Sequence, residues 1–304
     1  MRILITGGAG FVGSNLAKRF AAEGHSTVAL DDFSSGAWPN LVGYGGDVLT
    51  LDIARDDLTP LAALGPFDLI SHQASITDTT VVDQKKMMHN NVEGFRRLLE
   101  LAQKWNSRVV WASSAASYGR LPSPHVESVE PAPLNVYGYS KVAMERLATQ
   151  SQPKLKQPII GLRYFNVYGP GEAHKGKFAS MMHQLARQMR SGKQPRIFTD
   201  GEQKRDFVYI DDVVQANLLA NQAKTSGIFN VGSGRAQSFN NMVAILNNVL
   251  KTDLHPEYFD CPYDFYQNLT EADLTAIRKS LGYEPKYDLA RGIAAYAKSG
   301  MLGA

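Results

Sequence analysis

The chain has 304 residues, 44% of them hydrophobic, with 32 Lys and Arg against 29 Asp and Glu and a formal net charge of +3. That length supports one doubly wound domain plus a smaller lobe, and so slight a basic excess gives no reason to invoke nucleic acid, though it suits an anionic phosphate ligand. The single cysteine, Cys261, excludes an internal disulfide and a cysteine-cluster metal site and reads as a packing residue, while no apolar run reaches membrane-spanning length, so a cytoplasmic protein without membrane partner or metal is expected.

Arg2 to Ile5 is a short apolar run of the kind shown by a strand buried on both faces. It stops at Thr6 and a glycine cluster, and from Ser14 the segment SNLAKRFAAEG reads as an amphipathic helix. Two templates overlay on the cluster: Gly8, Gly10 and Gly13 fit G-x-G-x-x-G, while Gly7, Gly10 and Gly13 fit G-x-x-G-x-x-G. Strand, glycine turn and helix together make a dinucleotide site, because a Cβ would keep the backbone off a pyrophosphate that the helix N–H groups attract. Gly7, Gly10, Phe11, Val12 and Gly13 are therefore assigned to the cofactor.

Ser26 to Leu30 is a second buried strand, and it ends at Asp31-Asp32. An acidic residue about 20 positions beyond the glycines can accept both adenosine ribose hydroxyls. Asp31 takes that role, with Asp32 beside it; a plain surface carboxylate at a strand end is the alternative. A carboxylate there repels a 2′-phosphate, and Phe33 to Pro39 contains no Lys or Arg, so NAD is favoured over NADP. Asp47 to Ile53 alternates like another strand, and Asp52 and Ile53 border the adenine. Phe67 to Ser71 is a further short strand, followed by His72-Gln73-Ala74-Ser75 at the carboxyl ends of the strands, where open α/β sheets bind ligands. Gln73, Ala74 and Ser75 join the cofactor set, as does Asn91 in the segment that opens a helix from Asn90 through Leu101. Arg108 to Ala112 is the next strand, ending at Ser113-Ser114.

Strands alternating with helices over residues 1–165 predict right-handed crossovers and a doubly wound parallel sheet, a Rossmann-type α/β domain. Pro131-Ala132-Pro133 marks a loop, Asn135 precedes the helix VYGYSKVAMERLATQ, and Ile159 to Arg163 is another strand. From Asn166 the composition shifts to Gly169-Pro170-Gly171, a Met-rich helix over Phe178 to Met189, and Gly192 to Pro195. A smaller, discontinuous substrate lobe is placed over 166–304, with the chain revisiting the first domain near 206–235, beginning around Asp206 to Ile210.

Ser114 ends a strand, and Tyr137 and Lys141 form Y-x-x-x-K on the helix after it, a spacing that puts both on one face. A phenol titrates near pH 10 and is a poor base at neutral pH unless a nearby cation favours phenolate. Lys141, together with an oxidised nicotinamide, would supply that field. The phenolate would take the proton of a substrate hydroxyl while hydride leaves the same carbon, with Ser114 holding the oxygen. Alone, Y-x-x-x-K is common on ordinary helices; its place after a glycine-loop domain and a Ser-Ser strand end gives it meaning.

TGGAGFVGSN, SSAASYG and YGYSK resemble the extended short-chain dehydrogenase/reductase family, most of whose members modify nucleotide sugars. A dehydratase of that family carries Thr-Asp-Glu where this chain has Ser114-Ala115-Ala116, so the resemblance implies oxidation and return, as in an epimerase. His72 to Ser75, Asp78-Thr79-Thr80, Met87-Met88, RYFNVYGP, His174-Lys175-Gly176, KRDFVY and SGIFNVGSGRAQSF extend the likeness to the ADP-glycero-manno-heptose 6-epimerases of lipopolysaccharide core synthesis. The likeness continues through Tyr266-Gln267 to Gly282-Tyr283. In that group the sugar C6 is oxidised to a ketone, which turns over before hydride returns to its other face. The resemblance implies Tyr137 as one acid/base and Lys175 as the second. It further implies Val167 on the cofactor and Asn166, Lys177, Gln184, Phe198, Arg205 and Tyr266, with Ser114, around the nucleotide sugar. A homo-oligomer is also expected.

Departures from the pattern concern the sugar and the cofactor. No lysine stands near Trp38 to hold a 2′-phosphate, Lys177 replaces a small hydroxyl residue, Gln184 replaces a histidine, and the turn after Phe198 is shorter. A solvated Lys175, and Arg205 as a structural partner of Asp206 or Asp211, are the bland readings of those residues. A 4-epimerase or reductase for another nucleotide sugar shares the same trio. A non-catalytic dinucleotide sensor has no reason to keep Ser114, Tyr137 and Lys141 together.

Overall fold

The computed structural model describes residues 1–79, 81, 83–260 and 267–304, so Cys261 and Tyr266 lie outside the described residues. The first half runs β1 (Arg2–Thr6), α1 (Phe11–Ala22), β2 (Ser26–Asp31), β3 (Asp47–Thr50), α2 (Thr59–Leu64), β4 (Leu69–His72), α3 (Gln84–Met88), α4 (Gly94–Trp105), β5 (Arg108–Ser114), α5 (Val136–Ser151) and β6 (Ile159–Tyr164). The second runs β7 (Asn166–Tyr168), α6 (Met181–Arg190), β8 (Arg196–Phe198), β9 (Lys204–Tyr209), α7 (Ile210–Ala220) and β10 (Gly227–Val231). It closes with β11 (Ala236–Ser238), α8 (Phe239–Leu250), β12 (Glu257–Phe259), β13 (Leu269–Thr270), α9 (Thr275–Leu281) and α10 (Leu289–Lys298).

Seven strands form one sheet in the order β10-β6-β5-β4-β1-β2-β3, every neighbouring pair parallel. Alternate side chains serve opposite faces. Ile3 and Ile5 of β1 pack in one cluster with Leu16 and Phe20 of α1 and Val213 and Ala216 of α7. Leu4, between them, joins the other cluster with Phe95 and Leu98 of α4 and Met144 and Ala148 of α5. The chain moves outward from β1 to β3 and then returns to β4 on the other side of β1, so a crevice opens at the carboxyl ends of β1 and β4.

Several boundaries differ from the sequence reading, each for a physical reason. Helix α1 starts at Phe11, ahead of Ser14, and so contains Gly13. The helix expected from Asn90 begins at Gln84 and carries a π-helical turn over His89–Glu93. Asp47–Ile53 is strand only to Thr50, because Asp52 turns the chain by accepting from Ala54 N at 2.8 Å. Asp206 to Tyr209 does not rejoin the large sheet. It lies in β9, which pairs with β7, β11 and β13 in a smaller sheet, and the return to the large sheet runs through α7 and β10. A fully buried carboxylate explains this placement. Asp206 accepts from Ser233 N and Oγ, both at 2.7 Å, Gly234 N at 2.9 Å and Ala272 N at 3.0 Å, binding β9 to the segments after β10 and β13.

Around the smaller sheet, α8 packs against α6 and α10, and β8 pairs with β12. The buried side chains of these elements belong to the same cluster as the α1 and α7 face of the large sheet. Among the described residues, no helix is long and apolar enough to cross a membrane.

Candidate functional site

At the carboxyl end of β1 the glycine loop is shaped by contacts that no side chain would permit. Gly7 has φ +67°, and a Cβ on Gly13 would stand 2.0 Å from Gly7 O. Gly10 is the N-cap of α1 and offers no side chain to its first turn, so the N–H groups there face the crevice. A cradle that a Cβ would fill, at an uncapped helix start, fits a dinucleotide pyrophosphate. Asp31, 6% exposed at the end of β2, accepts from Ala9 N and Phe33 N, each at 2.9 Å and on different oxygens. One acceptor site on each oxygen remains for a ribose hydroxyl. Burial pushes this carboxyl upward and the two backbone bonds pull it down. Asp32 is exposed and folds back on Ser34, whose N and Oγ both donate to its Oδ1, so Asp31 is the carboxylate tied to the glycine loop.

The other residues assigned to the cofactor divide into edges and braces. Asp52 holds Ala54 N and pairs with Arg55 at 3.1 Å, while Ile53 O accepts from Arg97 Nη1 at 2.6 Å, which fixes that turn. Gln73 accepts from the Tyr164 hydroxyl at 3.1 Å, and Asn217 donates to the same hydroxyl at 2.8 Å. Ala74 N donates to Thr6 Oγ1 at 3.3 Å, and Ser75 is half-buried in the same loop. Asn91 is fully buried: Nδ2 donates to Ser140 Oγ at 2.9 Å and Oδ1 accepts from Ile76 N at 2.8 Å. Its amide thus holds the Ser75–Ile76 loop against α5. Phe11 is buried, and Val12 and Val167 are half-buried.

Ser114 ends β5, and its Oγ caps a short 3-10 turn by accepting from Ala116 N at 3.1 Å. Asn135 caps α5 by accepting from Gly138 N at 2.8 Å, which aims the first helical turn at that strand end. Tyr137 is hydrogen-bonded to Ser114, and Lys141 Nζ lies 5.8 Å from the centre of its ring. Lys141 is 1% exposed and donates to Ala112 O at 2.9 Å. Burial pushes its ammonium down to about 7, with Glu145 one turn later opposing the shift. Burial also pushes the Tyr137 phenol up, and the Ser114 bond recovers only part of that. The protein's own groups therefore hold the phenol neutral, contrary to a simple lysine effect. The positive ring of a bound oxidised nicotinamide is the remaining source of the field that makes it a base.

Lys175 sits in a 3-10 segment over Ala173–Phe178, and its Nζ lies 5.8 Å from the centre of the Phe11 ring at the start of α1. Burial lowers its pKa while Glu172 raises it. Asn166 is exposed on β7 and donates to Asp206 O at 3.0 Å. Arg205, on β9, is 9% exposed and donates to Lys204 O at 2.8 Å. Lys177 is exposed against the Phe178 ring, at 5.0 Å from its centre. Gln184 donates to Lys177 O at 3.1 Å and Ala179 O at 2.7 Å, and Phe198 meets Phe259 edge-on at 4.8 Å. Among the described residues, no group of three or more His, Cys, Asp or Glu could hold a metal.

Sequence reading missed the braces. Glu145 is bonded by Arg163 through Nε at 2.7 Å and Nη2 at 2.6 Å, and by Ser113 Oγ at 2.7 Å, all buried behind Lys141. Its i+4 spacing from Lys141 was a usable signal. His72, buried at the end of β4, bonds Thr6 Oγ1 at 2.7 Å and is pushed down to about 3 by burial and Lys141, so it stays neutral. Glu172, 0% exposed, accepts from Gly169 N at 3.1 Å and Ser180 Oγ at 2.9 Å, closing the segment that carries Lys175.

Comparison with known proteins agrees with this fold. Residues 3–232 match the model of the NAD dependent epimerase/dehydratase family. The ADP-L-glycero-D-manno-heptose-6-epimerase of Helicobacter pylori superposes with a TM-score of 0.93 at 42% identity, covering 98% of this chain and 95% of that one. The UDP-glucose 4-epimerase of Thermotoga maritima, solved with UDP-glucose, gives 0.91 at 29% identity over 98% of both chains. The UDP-glucuronic acid 4-epimerase of Bacillus cereus, solved with UDP-glucuronic acid and NAD, gives 0.86 at 27% over 98% of both.

Proposed function

The chain belongs to the NAD dependent epimerase/dehydratase family and is an isomerase of the nucleotide-sugar class, and on that premise we propose that it inverts C6 of an ADP-glycero-manno-heptose. The hydrogen-bonded Ser114–Tyr137 pair above Lys141, at the strand ends beside the glycine loop, carries the reaction type. The near full-length likeness at 42% identity supports the heptose as substrate.

When bound, the nicotinamide supplies the acceptor and then the donor of hydride. Tyr137, once ionised, removes the proton of the sugar hydroxyl, and Ser114 holds that oxygen as the carbon becomes a ketone. Lys141, held beneath the phenol ring by Ala112 O, adds to the positive field of the nicotinamide when it is protonated. After the ketone turns over, its oxygen faces Lys175, which delivers or removes the proton at the second face. Asn166, Arg205, Lys177, Gln184 and Phe198 surround the nucleotide sugar in this reading, with Arg205 offering a guanidinium fork to pyrophosphate. The carboxylate of Asp31 favours the unphosphorylated ribose of NAD over that of NADP.

The test is conversion of ADP-D-glycero-D-manno-heptose in the presence of NAD, with C6 configuration followed by NMR. An equilibrium mixture of the two C6 epimers is expected. No inversion at full NAD occupancy, with C4 inversion of UDP-glucose by the same preparation, would move the assignment to a 4-epimerase.

A further inference from the structure

The segment carrying Lys175 is stapled to itself by Glu172, yet Lys175 must also be placed against the cofactor side of the crevice. Two side chains make that connection. Asn15 of α1 donates to Pro170 O at 2.9 Å, five positions before Lys175. Asn40, in the loop after β2, lies with Nδ2 3.0 Å from His174 Nδ1 and 3.0 Å from Ala9 O. His174 is the residue immediately before Lys175. Ala9, whose carbonyl anchors Asn40, is also the residue whose N–H is held by Asp31, and its carbonyl accepts from Ala37 N at 3.0 Å as well. A continuous path therefore runs from the ribose carboxylate through the glycine loop and the Asn40 amide to the imidazole beside Lys175.

We propose that the Asn40–His174 bond sets Lys175 against the dinucleotide loop, making Asn40 and His174 positioning residues for the second proton transfer. The proposal rests on the reading of Lys175 as the second acid/base. The two protons of Asn40 Nδ2 form a fixed fork, one to Ala9 O and one to the ring, so a flipped amide would lose the first. His174 Nδ1 has one in-plane site. With the ring proton on Nε2 it accepts from Asn40; with the proton on Nδ1 it donates to Gly171 O, 2.9 Å away, and releases Asn40. The bond to Asn40 is thus one of two states of this ring, and the bridge is the state in which Asn40, already tied to Ala9 O, donates to it. Glu172 fixes the fold of the segment, whereas Asn40 fixes where its lysine lies.

The experiment uses the full chain with saturating NAD, starting separately from ADP-D-glycero-D-manno-heptose and from its C6 epimer, and reads transient cofactor reduction. Asn40→Ala and His174→Leu should each slow reduction at least tenfold from the epimer whose hydroxyl faces Lys175 and by less than threefold from the other. His174→Gln, which keeps an acceptor, should recover most of the loss, and the double variant should lose no more than either single one. Hydrogen exchange gives a readout independent of turnover: NAD should slow exchange at Gly171–Phe178 in the unaltered protein and less so in Asn40→Ala. Equal slowing from both epimers, no slowing, additive losses, or unchanged protection by NAD would each overturn the bridge. Lys175→Met run in parallel separates the two failures. If it turns over both epimers normally, the second-base reading falls and the bridge with it; if it is selective while Asn40→Ala is not, the bridge alone falls.

Discussion

Lys141 is 1% exposed, and its ammonium titrates near 7 instead of the ordinary 10.5 because burial disfavours the charged form. The folded chain therefore binds fewer protons at this site than the unfolded chain between about pH 7 and 10.5, so stability from this group rises with pH across that window. Below pH 7 the cost of burying the charge is present in full. Lys141→Met, which keeps the chain length without the charge, should be more stable than the unaltered protein near pH 7, and the advantage should vanish as pH approaches 10. Urea denaturation at a series of pH values measures it, and an advantage that grows with pH would contradict the argument. His72 acts with the same sign in a lower window, between about 3 and 6.5, and does not confuse the comparison. The identity of the Tyr137 and Lys141 pair was legible from i, i+4 spacing. The depth of Lys141 was not, because spacing names a helical face without saying that this face packs on β5 over the Arg163–Glu145 pair.

At the scale of the element, α1 shows what its glycines permit and why its start was misread. Propensity counts Gly13 as a breaker, which pushed the expected start to Ser14. In the structure Gly13 is inside the helix because nothing larger could pass Gly7 O at that point. Gly13→Ala should therefore move α1 away from the loop at a cost of about 1–3 kcal/mol in a closely packed site. Most of that should fall on the bound state, lowering NAD affinity roughly 5- to 150-fold, as read by isothermal titration. Unchanged affinity would mean that the loop is not the pyrophosphate cradle. The glycine pattern, the acidic strand end and the alternation of strands with helices could all be read because each is local. The π-helical turn at His89–Glu93 leaves no mark on apolar spacing, yet it is what brings Asn91 to both Ile76 and Ser140.

Across the whole molecule, the smaller lobe is the part the sequence hid, since its sheet joins segments far apart in the chain. Asn166–Tyr168 pairs with Phe207–Tyr209, and Leu269–Thr270 reaches back to Lys204–Arg205. No periodicity reveals such pairing; a composition shift at Asn166 marked only the beginning. Among the described residues, the lobe has no core of its own. Its buried apolar side chains, among them Met182, Leu246 and Ile293, belong to one cluster with Ile5 and Leu16 of the large-sheet half. The Asn15–Pro170 bond adds a polar tie across the same boundary, and Asp206 ties β9 to the segment that leaves β10 through Ser233 N and Gly234 N. A lobe without an independent core cannot keep its structure once the large sheet opens, so calorimetry should show one cooperative unfolding transition. NAD bound on the sheet side should then stabilise the entire chain. At a free concentration of 100 times its Kd the gain is about 2.7 kcal/mol, which moves the single midpoint upward by roughly 5 °C. Two resolved transitions, only one of them shifted by NAD, would show instead that the elements around the smaller sheet hold together without the large one.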